Sequence, residues 1–354
     1  MSKVNTRKIF AYGLIAVLLI YVLSMILPNM LPSGNNHDNP SDVTAPVTNS
    51  VPVPTFSGDS AFAHVKKQVD FGPRVPGSPA HKACASWLVT TFKNYGMEVI
   101  EQPFVAKTYF GPLDAVNIIA QYKPELPNRI LICSHWDSRH IASKDTKDAD
   151  KPIDGADDGA SGVGVMLEIA RMLQQNPLEL GIDLICFDAE DLGDETDENP
   201  SGSMMQNQAH KAETWCLGSQ YWGRNIHKAG YSAQFGILLD MVGASGAKFP
   251  REGYSVQNAP IIVNKVWGVA AELGYSELFV NIAAGGITDD HYFVMRATNI
   301  PTVDIIGMPE PGPMFGKHHH THLDNINLID TEVLRKVGNV LATVIYREAA
   351  RQAQ

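Results

Sequence analysis

The stretch from Ile182 to Asp191, reading IDLICFDAED, is an apolar run that halts abruptly on three carboxylates within four residues, Asp188, Glu190 and Asp191. Such a run reads as a buried strand. A buried strand end cannot leave that much negative charge unpaired, so a cation, a proton or a hydrogen-bond donor must compensate it. A functional site is expected where this strand stops, and a metal site fits the donors best.

The chain around it alternates extended and helical patterns. Helices are expected over 62–69 and 80–95, the second from the spacing of Ala83, Trp87, Leu88 and Phe92. Extended runs follow at 97–105, 115–122 and 129–133. After the loop DGADDGASG (154–162) the residues Val163, Met166, Leu167, Ala170 and Leu173 keep one helical face. Further helices are expected over 218–229, 259–273 and 331–350, with a short one from Asp289, and strands over 235–239 and 301–306. This pattern predicts a single α/β domain with a central twisted mixed β-sheet flanked by helices, its antiparallel portion coming from the strands before residue 122. In open sheets of this kind ligands gather beyond the carboxyl ends of the strands, where His135, Asp137, Glu190, Asp191 and Asp240 all fall.

The ends of the chain carry other information. Residues 1–8 hold Lys3, Arg7 and Lys8 and read as a cytoplasmic N-terminus; residues 9–27 are an uninterrupted apolar run long enough to cross a bilayer. Its length, and the lack of an A-x-A-like site before Pro28, favour an uncleaved anchor over a signal peptide. The expected topology is a membrane-anchored protein with an exported catalytic domain, periplasmic in a Gram-negative cell, or secreted if the segment is cleaved. Residues 28–57 read as a flexible linker and residues 58–354 as the catalytic domain. The acidic, polar insertion 192–213 reads as a surface loop. A formal charge of −10 and no basic run in the body of the chain argue against nucleic acid as a partner. Cys84, Cys133, Cys186 and Cys216 show no CxxC pair, so they are expected as buried free thiols rather than metal ligands.

Five residues at strand ends or loop–helix junctions could hold zinc through nitrogen and oxygen: His135, Asp158, Asp191, Asp240 and His320. Each has an alternative. Asp158 could cap the helix that begins at Gly159. His318 to His320 could be a solvated loop, and Asp188 a strand-end carboxylate bonded to backbone.

The ordered series SHWDS, DGADDGASG, FDAED, LLDMVGA, GGITDDHYF and HHTHLDN resembles the co-catalytic zinc aminopeptidases, and more closely the animal-type glutaminyl cyclases that share their fold. The resemblance runs from Phe71 to the end of the chain. Asp289 gives the Asp-Asp-His of the cyclases where aminopeptidases have a small residue, and RVPGSPAHKA and YFGPLDAVNIIAQ are also similar to cyclase segments. The resemblance implies one zinc on Asp158, Asp191 and His320, Glu190 as proton shuttle, an acidic pair of Asp240 and Asp289, and Trp215 and His319 lining the substrate pocket. It implies peptide or protein N-termini beginning with Gln as partners. The alternative is an aminopeptidase with two zincs, to which His135 and Asp240 would also be ligands; an inactive tethered binding module is a third reading. One departure stands out: both relatives usually place Glu where this chain has Asp191.

Overall fold

The computed structural model describes residues 52–195, 214–309 and 315–352. The expected membrane segment, most of the linker and residues 196–213 of the insertion lie outside them. No described helix is long and apolar enough to cross a membrane.

A six-stranded sheet carries the domain. Strands β1 (Glu98–Thr108) and β2 (Gly111–Tyr122) form an antiparallel hairpin, followed in the chain by β3 (Arg129–His135), β4 (Gly181–Phe187), β5 (Gly236–Asp240) and β6 (Thr302–Ile306). Their spatial order is β1-β2-β4-β3-β5-β6. β2 meets β4 antiparallel, while β4, β3, β5 and β6 run parallel. The sheet is therefore mixed, as the alternation implied.

The parallel strands are buried on both faces, which is why they read as continuous apolar runs. Ile130 and Ile132 of β3 face the larger core with Leu184 and Cys186 of β4, whereas Leu131, Cys133, Ile185 and Phe187 face a smaller one. Over the larger face lie α1 (Gly58–Val69), α2 (Pro79–Asn94), α3 (Ala160–Gln175) and α8 (Thr331–Gln352); on the smaller face Trp222 of α4 (Leu217–Arg224) and Val294 of α7 (Asp290–Thr298) complete the packing. All four cysteines are buried and unpaired.

Three details depart from the sequence pattern. The helix expected over 259–273 is α6 (Pro260–Glu272), but a short helix with no counterpart in the sequence pattern, α5 (Gly253–Asn258), ends just before it, because Pro260 can open a helix but cannot continue one. The helix expected to reach residue 229 stops at Arg224, where Asn225 turns out of helical geometry. Asp183, inside the apolar run, is buried and held by both arms of Arg129 at 2.7 Å, by Tyr231 and by Gln121, which satisfies its charge within the sheet.

Packing of this domain also begins before the expected boundary at residue 58. Phe56 is buried against α8, where a methyl group at Gly338 would collide with its ring, and Ser57 caps α1 by accepting from the Ser60 amide. Phe56→Ala should therefore cost about 3–5 kcal/mol, as truncation of a buried Phe does. Thermal unfolding of the variant should show a Tm several degrees below that of the wild type.

Candidate active site

Three parallel strands deliver polar residues to one edge of the sheet. His135 ends β3, the turn Asp188–Asp191 follows β4, and Asp240 ends β5. The loop 154–159 before α3, the segment 318–324 and the N-terminus of α7 complete the rim.

The turn after β4 separates its three carboxylates by backbone geometry. Asp188 turns inward: it accepts from the amides of Val116 at 2.6 Å and Ala189 at 2.8 Å, and pairs with His81 at 2.8 Å. Ala189 takes a left-handed conformation (φ 54°) that swings the chain round. The next two amides, of Glu190 and Asp191, donate to the two oxygens of Asp137 at 3.1 and 3.2 Å. Arg139 holds the far side of the turn, donating to the carbonyls of Asp191 and Gly193 at 3.0 and 3.1 Å.

The loop DGADDG is gripped in the same way. Asp324 accepts the amides of Asp157 and Asp158 at 2.7 and 3.1 Å, and Arg74 donates to the carbonyls of Asp154 and Gly155 at 2.5 and 2.7 Å. Gly159, with φ 94°, is needed here because a side chain would come within 2.9 Å of the His135 ring. α3 has no side-chain cap, so Asp158 is not a helix cap. Its carboxylate faces His135 Nε2 at 3.0 Å and His320 Nε2 at 3.8 Å.

His320 Nε2 lies 3.0 Å from Asp191 Oδ1, so Asp158, Asp191 and His320 converge. His135 Nε2 also reaches Asp240 Oδ1 at 3.3 Å. His319 stacks on His320 with ring centres 3.6 Å apart, and its ligand atom joins those of Asp158 and His320 within 4.8 Å. Neither histidine is solvated. Trp215 also stacks on His320, with ring centres 5.7 Å apart, and the Arg139 guanidinium lies 4.9 Å from the indole. A methyl group at Gly193 would run into the indole.

Glu190, half-buried, receives the Cys216 thiol at 3.1 Å, and a ligand atom of Asp289 lies within 4.8 Å of those two residues. Burial lifts the Glu190 carboxyl well above its ordinary pKa, and Asp289, Asp191 and Asp290 push it further against the pull of His135. Asp240 is carried to about 8, chiefly by burial and then by Asp158 and Asp289, although His135 opposes it. Asp289 caps α7 through one oxygen, bonded to the Asp290 amide; its other oxygen is buried and unpartnered. This edge therefore presents a proton-rich carboxylate pair beside an arrangement of carboxylate and imidazole donors.

The donor set suits zinc. Asp158, Asp191 and His320 supply oxygen and nitrogen, and Asp191 Oδ2 is buried with no hydrogen-bond partner, a cost that a cation would remove. Asp191, one methylene shorter than Glu, meets His320 Nε2 at 3.0 Å with its backbone held by Asp137 at the amide and Arg139 at the carbonyl.

Residues 117–345 match the model of peptidase family M28. The chain belongs to that family. Its fold is that of zinc exopeptidases. The structure of Bacteroides thetaiotaomicron glutaminyl cyclase bound to N-acetylhistamine is 47% identical, with a TM-score of 0.78 over 83% of this chain and 99% of that one. A leucine aminopeptidase precursor of the same organism is also 47% identical, with a TM-score of 0.77 over 84% and 99%. The glutaminyl-peptide cyclotransferase of Drosophila melanogaster is 24% identical over 305 residues, 78% of this chain and 77% of that protein. Members of this M28 group thus carry both cyclase and peptidase names.

Sequence reasoning gave no role to Asp137, Arg139, Asp324, Arg74 or Cys216. Asp137 lies inside the SHWDS motif, Arg139 directly follows it and Asp324 lies in HHTHLDN, so each was visible in or beside a motif. Their partners, mostly backbone groups, were not.

Behind Asp289, Glu252 is fully buried; it accepts the amides of Tyr254, Ser255 and Ile287 and pairs with His291 at 3.2 Å. Burial works against its charge, but His291 and the amides outweigh it and bring the carboxyl down to about 2. Since the folded value lies below the unfolded one near 4.5, its stabilisation is complete above that pH and is lost as pH falls toward 2. Glu252→Gln should cost about 3 kcal/mol at neutral pH. Denaturant unfolding of both proteins from pH 7 to 2.5 should show the gap narrowing below pH 4.5.

Proposed function

We propose that this chain is a zinc-dependent glutaminyl-peptide cyclotransferase, converting N-terminal Gln of peptides and proteins to pyroglutamate with release of ammonia. The observation that carries the reading is the buried Asp289 carboxylate beside Glu190, where the cyclase-like Asp-Asp-His places it. The match to bacterial glutaminyl cyclases over nearly their whole length supports it.

Asp158, Asp191 and His320 would hold the zinc, which when bound supplies a Lewis acid for the side-chain carbonyl of the substrate. The rest falls to the protein. The α-amine must attack its own side-chain amide, so the glutaminyl chain has to be held curled, and Trp215 and His319, which both stack on the His320 ring, are the aromatic walls available for it. Glu190 takes a proton from the attacking amine and delivers it to the departing ammonia, a task suited to a carboxyl whose pKa stands well above the ordinary range. Asp289, with Asp240 sharing its proton-rich surroundings, orients the leaving nitrogen.

A second reading keeps one specific observation in its favour. The ligand atoms of His135, Asp158 and Asp240 also lie within 4.8 Å of one another and could take a second ion, as an aminopeptidase would need. Metal content and product separate the two. A Gln-initiated peptide should lose one ammonia by mass spectrometry, with one zinc per chain; release of free Gln with two zincs would establish the peptidase. Glu190→Gln should lower kcat by about 10²–10⁴-fold while zinc content stays at the wild-type level.

The apolar run 9–27 supports a further proposal, that the catalytic domain is exported and tethered to act on proteins at the membrane's outer face. C-terminal reporter fusions should be active only where the reporter requires export.

A further inference from the structure

The first residues of the acidic insertion reach back to the metal-ligand group. Glu195 Oε1 lies 2.5 Å from His320 Nδ1, on the ring edge opposite the Nε2 that faces Asp191 at 3.0 Å and Asp158 at 3.8 Å. Glu195 is itself fixed: Lys144 Nζ stands 3.4 Å from Oε1 and Arg139 Nη2 3.7 Å from Oε2. Lys144 also bonds His319 Nδ1 at 2.5 Å, and Arg139 donates to the carbonyls of Asp191 and Gly193. One cationic pair thus ties the insertion to the turn after β4 and to the histidine loop.

His320 needs such a support. Its backbone is left-handed, φ 59°, a conformation a histidine holds only when its surroundings enforce it. Trp215 and His319 stack against the ring but cannot choose which nitrogen carries the hydrogen, since stacking leaves both tautomers equal. A neutral imidazole that binds a metal through Nε2 must carry its hydrogen on Nδ1, and an acceptor at Nδ1 selects that tautomer.

We infer that Glu195 is a positioning residue for His320: its carboxylate accepts the Nδ1 hydrogen and so holds the Nε2 lone pair toward Asp158 and Asp191. The described start of the insertion, through Glu195, is then part of the support of the metal site. This inference rests on the zinc assignment above, not on which reaction the site performs.

Zinc affinity tests it directly, measured on the full-length chain by competition with a chromogenic chelator, for wild type, Glu195→Ala and Glu195→Gln. The alanine variant should bind zinc about 10–100-fold more weakly, as loss of a carboxylate partner of a ligating histidine does. The glutamine variant keeps an acceptor and should fall between the two. The Tm of the zinc-free protein should be the same in all three. Wild-type affinity in Glu195→Ala would overturn the inference, as would a loss of affinity matched in both variants by a drop in the zinc-free Tm. A wild-type chain that binds no zinc would overturn it as well. Because the probe is zinc alone, a wild-type protein that binds it but forms no pyroglutamate would remove the proposed reaction and leave this result standing.

Discussion

The carboxylate of Asp137 accepts two consecutive backbone amides, those of Glu190 and Asp191, and the chemistry of the site depends on that grip. The amides sit at the end of β4, where sheet pairing has stopped and nothing in the ladder can hold them. Asp137 comes from the neighbouring parallel strand, so it converts strand adjacency into a fixed turn. With Arg139 on the carbonyl side, the turn cannot rotate without breaking bonds on both edges. Glu190 and Asp191, adjacent in sequence, are thereby sent to different neighbours, the first to Cys216 and Asp289, the second to His320.

The same device recurs at the loop 154–159, where Asp324 takes two amides and Arg74 two carbonyls. Buried Arg and Asp side chains here serve backbone groups first. The consequence is electrostatic. Arg74 is engaged with carbonyls, and Arg139, beyond its two carbonyls, meets only Asp191, at 3.3 Å, of the cluster formed by Asp158, Asp191, Asp240 and Asp289, so the arginines neutralise that cluster only in part. Burial leaves the last three with raised pKa values, while Asp158, drawn down mainly by His135 against its burial, keeps its charge. A site with this balance takes up protons and cations readily, which is what proton transfer beside a metal requires.

Much of this was legible in the sequence because parallel strands buried on both faces leave unbroken apolar runs, and because polar residues at their ends have nowhere else to go. His135, Asp191 and Asp240 could be gathered on one edge from that rule, while Asp158 and His320, carried on loops, joined them as candidates and were singled out as ligands by the family resemblance. What the pattern could not carry was any contact between a side chain and a distant backbone group, so the grips of Asp137, Arg139 and Asp324 stayed silent although these residues lie in or beside the motifs. Asp183 carried no signal for a related reason: a charge within an apolar run gives no sign of the arginine that meets it from the start of β3. Pro260 was visible, yet only the structure showed that a separate helix ends just before it.

The grip of Asp324 and Arg74 on one loop has a bearing on how the protein comes to be made. The two residues lie 250 positions apart, one near the start of the folded domain and the other just before its last helix, and the ligand-bearing Asp158 sits between their holds. Contacts of such long range form late. During synthesis the loop therefore stays slack until nearly the whole domain has left the ribosome, and a chain cut short before residue 324 would lack both one of the two holds on this loop and the core contributed by α8.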